Sequence, residues 1–128
     1  MNILEHIKNN KNVINFSNNN LNLNGRIIGS VPFLFKIHYS PNDYFRFTEQ
    51  LLYEEFKDSG FEQIEIKPLS KGIFSNIYST IFDYTKKIPL LNILLIIFCL
   101  ILDKIFFFIN KNYIKNYPLG YFFTATKK

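Results

Sequence analysis

One long apolar segment, residues 88–109, restricts the folds open to this chain more than any other feature. Residues 93–102 are apolar on every face, and Asp103-Lys104 interrupts the run before residues 105–109. A spanning helix needs about 20 apolar residues. On the insertion scale, the Leu, Ile and Phe residues contribute about −5 to −10 kcal/mol, whereas two central charges cost about +5 to +7 kcal/mol. Because the sum is near zero, three alternatives stay open: a helix packed over a sheet, a surface-lying or re-entrant membrane contact, and a true span.

Charge is unevenly distributed along the chain. The first 66 residues carry six basic and eight acidic side chains, whereas from Lys67 onward nine lysines accompany only Asp83 and Asp103. Most of these lysines flank apolar runs, which favours an anionic membrane surface over nucleic acid as a partner. The single cysteine, Cys99, lies in the apolar run and is interpreted as a buried hydrophobe in a reducing compartment. With no secretory signal visible, the prediction is a cytoplasmic protein, with peripheral membrane contact through residues 88–109 as an open alternative.

Three segments have the residue patterns of β-strands. Residues 26–31 follow an Asn24-Gly25 turn signal, end at Pro32 and are apolar on both faces, which suits a parallel sheet covered by helices. Residues 62–67 are apolar on one face only and stop at Pro68, which predicts an edge strand. Residues 119–126 carry apolar groups on both faces, which predicts a central strand.

Three further segments have helical patterns. A helix is predicted around residues 12–17, although nine asparagines between positions 9 and 24 lower its propensity. Thr48 is the predicted N-cap of a second helix, and Gly60 its predicted C′ residue. Residues 71–87 have apolar side chains at three- and four-residue spacing, which predicts an amphipathic helix that Pro89 breaks.

Five phrases of the sequence, taken in order, resemble a known family. They are LEHI at residues 4–7, SVPF at 30–33, IHYSPNDYFRFT at 37–48, DSGF with EQIEIKPL at 58–69, and YPLGYFFTATKK at 117–128. They resemble the C-terminal half of a class I S-adenosylmethionine-dependent methyltransferase. The resemblance implies a Rossmann-like α/β fold in which residues 1–128 form a partial methyltransferase domain. The three predicted strands would form one sheet with the last strand between the other two and antiparallel to both, and residues 70–116 would be an apolar helical insert.

The resemblance also implies a cofactor, S-adenosylmethionine, and a site. Glu5 and His6 correspond to the loop after the family's fourth strand, which borders the cofactor. Methyl transfer needs alignment and, for some acceptors, one base, and His38 or His6 is predicted for that role. The predicted acceptor is a small molecule or a lipid-linked molecule.

Several polar side chains converge in the loop that follows the first predicted strand, where open α/β sheets bind ligands. The predicted substrate-binding residues are His38, Tyr39, Asp43, Tyr44 and Arg46. In the plainer interpretation, an ion pair between Asp43 and Arg46 only holds the loop, and Glu5 and His6 only begin a surface helix. No metal site is predicted, because neither histidine has a Cys or a second His at ligand spacing.

The family's glycine-rich cofactor loop, and the acid that ends its second strand, do not occur in these 128 residues. We therefore expect this chain alone not to bind the cofactor, and an N-terminal half to be missing from it. The first hypothesis is a methyltransferase fragment or half-enzyme. The alternative is a non-catalytic, membrane-associated small protein derived from a truncated methyltransferase gene. Nucleic-acid binding is not predicted, since only two arginines are present.

Overall fold

The computed structural model describes residues 3–39, 41–69 and 72–128, which form an α/β fold with a small three-stranded antiparallel sheet. The elements in chain order are a 3₁₀ helix Leu4–His6, α1 Asn10–Asn20, β1 Arg26–Pro32, α2 Glu49–Asp58, β2 Phe61–Leu69, α3 Ile73–Thr85, α4 Pro89–Ile109, α5 Tyr113–Asn116 and β3 Gly120–Lys127. The chain divides into two compact units. The first, the sheet unit, holds residues 1–33, 37–67 and 120–128, and the second, the helical unit, holds residues 34–36 and 68–119.

The last strand of the chain occupies the centre of the sheet, whose order is β1-β3-β2. It pairs antiparallel with β1, in a register that runs from Arg26 opposite Thr126 to Pro32 opposite Gly120. The predicted strand order is therefore confirmed. The expectation that β1 belongs to a parallel sheet with both faces covered is wrong: Ile27 is buried, whereas Ile28 is 49% exposed. Antiparallel sheets commonly bury one face in this way.

The edge strand β2 continues two residues beyond the predicted range 62–67. The sequence indicated an end at Pro68, but the strand includes Pro68 and ends at Leu69. Because β2 lies at the edge of the sheet, a proline that lacks an N–H need not interrupt a ladder. The edge position itself was predicted correctly.

In the sheet unit, helix α2 begins and ends at the capping residues predicted from the sequence. The Thr48 hydroxyl oxygen accepts a hydrogen bond from Leu51 N at 3.2 Å, which confirms the N-cap of α2. Gly60, with φ of 83°, follows its C-terminus in the left-handed region, as predicted. Helix α1 is longer than residues 12–17 and buries Ile14. The core of this unit comprises Leu4, Ile14, Ile27, Val31, Phe47, Leu52, Phe56, Phe61, Tyr121, Phe123 and Ala125.

The helical unit contains α3 packed against α4. Pro89 is the first residue of α4, so the predicted break is confirmed. Helix α3 begins at Ile73, and the predicted start at Lys71 lies outside the described residues. The Asn92 side-chain oxygen accepts hydrogen bonds from Tyr78 Oη and Thr85 Oγ1 at 3.0 and 2.9 Å.

Two polar residues of α4, Asn92 and Asp103, share one face, whereas Lys104 is exposed. Asp103 lies three helical turns after Asn92, so both point towards α3. The Asp103 carboxylate accepts hydrogen bonds from Phe74 N at 2.9 Å, Ser75 N at 2.8 Å and Tyr113 Oη at 3.0 Å. It therefore caps the N-terminus of α3 from a neighbouring helix, which satisfies backbone donors that a helix end leaves unpaired.

Apart from Lys104, the remaining faces of α4 are apolar and largely exposed. Among the described residues it is the one helix long and apolar enough to cross a membrane by length and composition, with a mean hydropathy of 2.5 and 11% of its most apolar stretch buried. Cys99 is buried, as predicted. Large side chains that leave 50% or more of their surface exposed are Leu90, Ile93, Leu94, Phe98, Ile101, Phe108 and Ile109.

Candidate functional site

Two segments far apart in sequence meet in the sheet unit. The 3₁₀ helix carries Glu5 and His6, and the loop between β1 and α2 carries residues 37–48. Each segment is anchored by a fully buried side chain, Leu4 in the first and Phe47 in the second. Tyr44 N donates a hydrogen bond to the Glu5 carbonyl oxygen at 2.7 Å, and His6 Nδ1 donates to the carbonyl oxygen of Asn42. Backbone groups of the loop therefore hold the 3₁₀ helix in place.

Asp43 is the organising residue of the loop. Its carboxylate is 1% exposed and accepts hydrogen bonds from Arg46 Nη1 and Nη2 at 2.5 and 2.7 Å. It also accepts one from the backbone N–H of His38 at 2.9 Å. The guanidinium of Arg46, followed by the His38 N–H, holds the pKa of this carboxyl well below its ordinary value against the opposing effect of burial. The ion pair considered from the sequence is thus present.

The His38 ring lies between two carboxylates. Its Nδ1 is 3.5 Å from Asp43 Oδ2, and its Nε2 is 3.8 Å from Glu5 Oε1. Both carboxylates accept hydrogen bonds only, so each nitrogen of the His38 ring faces an acceptor.

Glu5, His6 and His38 form one cluster, called here the Glu5 cluster. His6 Nε2 lies 3.7 Å from Glu5 Oε1, and the two imidazole rings pack edge to face with centroids 5.0 Å apart. One possible ligand atom from each residue lies within 4.8 Å of the other two. The sequence argument that the two histidines are isolated is therefore wrong, because the fold supplies the proximity that their sequence spacing does not.

The two predicted tyrosines lie at the surface. Tyr39 is 75% exposed and Tyr44 is 48% exposed, whereas the Asp43 carboxylate and Glu5 are buried. The structure thus brings five of the predicted residues together, namely Glu5, His6, His38, Asp43 and Arg46. The two tyrosine rings are exposed on the same loop, and the Tyr44 ring packs against Phe45.

Sequence reasoning missed the contribution of Asn42 and the meeting of the two histidines. The proximity of the two histidines could have been predicted from the resemblance. In the fold implied by the resemblance, the loop with Glu5 and His6 and the loop with His38 both leave the carboxyl end of the sheet, where neighbouring strands deliver their side chains to one edge. Asn42 acts through its backbone carbonyl, which no residue pattern reveals.

The arrangement can perform two kinds of chemistry. An imidazole whose Nδ1 is held by an acceptor can accept a proton at Nε2, as a general base does. Two imidazoles and a carboxylate that converge can alternatively bind a cation. Neither interpretation is assisted by known proteins: no family model matches this sequence, and the curated proteins contain no match to it.

Proposed function

We propose that this chain is the C-terminal portion of a Rossmann-like, S-adenosylmethionine-dependent methyltransferase that acts on a small or lipid-linked acceptor. The observation that carries the proposal is the convergence of Glu5 and His6 with the loop from His38 to Arg46. The resemblance assigns the first segment to the cofactor edge and the second to the acceptor. Their contact in the sheet unit is what a shared transfer site requires.

The strand order gives further support. In the family that the chain resembles, the last strand lies between the two before it and runs antiparallel to both. The order β1-β3-β2, with β3 antiparallel to β1, is compatible with that arrangement. A three-stranded antiparallel sheet is compatible with other α/β folds as well, so the proposal rests on the site together with the sheet.

Roles follow from the positions of the side chains. His38 is the better candidate base because its side chain is 34% exposed, whereas that of His6 is 12% exposed. The Asp43–Arg46 pair keeps the His38 ring oriented. Tyr39 and Tyr44 provide exposed aromatic surface for an acceptor. Glu5 and His6 would contact the methyl-bearing side of the cofactor.

Cofactor binding needs sequence that these residues do not include. In the family, the glycine-rich loop and the acid on the ribose hydroxyls hold most of S-adenosylmethionine, by the same physics as in other doubly wound folds. The few contacts available from Glu5 and His6 cannot offset an association entropy cost of several kcal/mol. The cofactor-binding half would come from other polypeptide sequence, in the same chain or in a second one.

The test has two stages. Calorimetry with residues 1–128 should detect no micromolar binding of S-adenosylmethionine; such binding would contradict the assignment of the cofactor site to the other half. The coding sequence upstream of Met1, or beside this gene, should encode a strand followed by a GxGxG-type loop. The two halves together should then bind the cofactor and transfer a labelled methyl group to a lipid or metabolite extract.

Variants of the joined halves locate the chemistry. His38→Gln should reduce transfer by about 10²-fold or more, as expected for loss of a general base, while cofactor affinity stays nearly unchanged. Glu62→Gln is the matched control, since Glu62 pairs with Lys128 at an exposed site. Equal effects of the two substitutions on transfer would remove His38 from the reaction.

A second candidate function is favoured by α4: membrane association, with or without catalysis. Asn92 and Asp103 face α3, so the exposed faces present mainly Leu, Ile and Phe, with Lys104 as the exposed charge of the helix. Lys87, Lys111 and Lys115 flank it and are exposed. An amphipathic pattern of this kind suits insertion into the headgroup boundary of an anionic bilayer. We therefore include a membrane surface as the partner of the helical unit.

A further inference from the structure

We propose that Glu5, His6 and His38 form a binding site for one divalent transition-metal ion of the zinc type. The inference does not depend on methyl transfer, because it rests on the geometry of the Glu5 cluster alone. It replaces the expectation from sequence that the chain holds no metal site.

The distances from Glu5 to the two histidines fit atoms that bind a common ion better than atoms that hydrogen-bond to each other. Glu5 Oε1 lies 3.7 Å from His6 Nε2 and 3.8 Å from His38 Nε2, both too long for a hydrogen bond. Two ligand atoms, each about 2.0–2.2 Å from a zinc ion and separated by the tetrahedral angle, lie about 3.3–3.6 Å apart. The two Glu5 distances are therefore within a few tenths of an ångström of this separation, and all three ligand atoms lie within 4.8 Å of one another.

The far side of each ring faces a hydrogen-bond acceptor, and that of His6 is hydrogen-bonded to it. His6 Nδ1 donates to the carbonyl oxygen of Asn42, and His38 Nδ1 faces the Asp43 carboxylate at 3.5 Å. A carbonyl oxygen only accepts, so the proton of neutral His6 is on Nδ1 and its lone pair is on Nε2. Metal-ligating histidines usually donate their other ring nitrogen to a carboxylate or a backbone carbonyl, which orients the ring. Both histidines of the cluster have such an acceptor.

Glu5 provides independent evidence for a cation. Its side chain is 5% exposed, and Oε2 has no hydrogen-bond partner among the described residues. Buried carboxylates are normally paired or coordinate metals, because an unpaired one loses its hydration without compensation. An ion bound by Glu5 would supply the missing partner.

The ligand types select the metal. Two imidazoles and one carboxylate suit zinc, iron or cobalt, whereas magnesium and calcium favour oxygen ligands throughout. Three protein ligands leave at least one position for water or for an oxygen of a bound molecule. An ion at the Nε2 atoms would use the lone pair that the proposed base role of His38 needs, so that base role applies to the metal-free chain.

The experiment uses tag-free residues 1–128, because a histidine tag would bind the probe. Protein stripped with a chelator is titrated with Co²⁺, followed by its visible absorption, and then with Zn²⁺ as competitor. We expect one ion per chain, displacement of Co²⁺ by Zn²⁺, and no displacement by excess Mg²⁺. Binding should also raise the free energy of unfolding as the metal concentration rises. Absence of one-to-one binding would overturn the proposal.

Variants connect binding to the three ligands. His6→Gln, His38→Gln and Glu5→Gln should each weaken Zn²⁺ binding at least tenfold, and Asp43→Asn about 10-fold to 100-fold through loss of ring orientation. Glu62→Gln is the control and should bind as the unchanged chain does. Circular dichroism without metal shows which variants fold.

If a variant does not fold, histidine NMR of the unchanged chain decides. Zn²⁺ should then shift the Nε2 resonances of both His6 and His38. Ions that bind without these shifts, or equally well to His6→Gln and His38→Gln, would place the metal elsewhere and overturn the assignment.

Discussion

The Asp103 carboxylate on α4 accepts a hydrogen bond from the backbone N–H of Phe74, in the first turn of α3, at 2.9 Å. This contact explains how an acidic residue fits inside an apolar helix. Asp103 is 2% exposed, and its other acceptor positions are used by Ser75 N and Tyr113 Oη. Of the two charges that made the insertion energy ambiguous, Asp103 is therefore directed into the α3–α4 contact, where it also meets the positive end of the α3 dipole, whereas Lys104 stays exposed.

We predict that Asp103→Asn weakens the start of α3. The neutral side chain has one acceptor oxygen in place of two and loses the charge that complements the helix dipole. The backbone amides of Phe74 and Ser75 should exchange with deuterium at least about 10-fold faster, which corresponds to about 1.4 kcal/mol of lost protection.

Asp83→Asn is the control for this prediction, because Asp83 lies partly exposed near the other end of α3 and pairs with Lys36 and Lys86. Its substitution should leave the exchange of Phe74 and Ser75 unchanged. Equal protection in the Asp103→Asn variant and in the unchanged chain would show that Asp103 does not cap α3.

We predict that Asp43→Asn destabilises the sheet unit by about 1–3 kcal/mol, because it removes charged hydrogen bonds and leaves buried donors of Arg46 and His38 under-satisfied. Urea unfolding followed by far-UV circular dichroism measures the loss. Glu62→Gln, at the exposed pair with Lys128, should cost less than about 1 kcal/mol. A loss no larger for Asp43→Asn than for Glu62→Gln would contradict a structural role of the pair.

We predict that the Asp43 carboxyl makes the free energy of unfolding fall at acidic pH. Its pKa is lowered in the folded state, chiefly by Arg46, so its contribution is complete above the unfolded pKa of about 3.9. As pH falls from about 4 to about 2, the unfolded chain takes up a proton that the folded chain does not, and stability falls by about 1.4 kcal/mol per pH unit from this group. Urea midpoints of the Asp43→Asn variant should lack this part of the slope. Parallel profiles for the two proteins would refute the assignment.

We predict that the chain floats with anionic liposomes and that salt weakens the binding. Lys87→Gln with Lys111→Gln should reduce binding by about 10-fold or more, because each lysine near an anionic surface contributes about 1 kcal/mol. Lys8→Gln with Lys57→Gln, two exposed lysines of the sheet unit, is the charge-matched control and should have little effect. Binding that changes neither with salt nor with the Lys111 substitution, and that only detergent releases, would favour a span over a surface contact.

Local patterns in the sequence determined much of the secondary structure. The Thr48 cap, the Gly60 turn and the start of α4 at Pro89 were predicted because capping, positive φ and the missing N–H of proline are properties of a few adjacent residues. The central position of β3 was also predicted, but from a pattern that β1 shares, and β1 lies at the edge of the sheet with Ile28 49% exposed.

Only the tertiary structure decided which distant residues meet. Glu5 and His38 approach within 3.8 Å although 33 positions separate them, and Asp103 reaches Phe74 across two helices. Such contacts depend on how buried anchors such as Leu4 and Phe47 seat their segments in a shared core, and no local pattern encodes that. By itself the sequence therefore determined the elements and the candidate residues, whereas packing in three dimensions decided that two histidines and a buried carboxylate form one cluster.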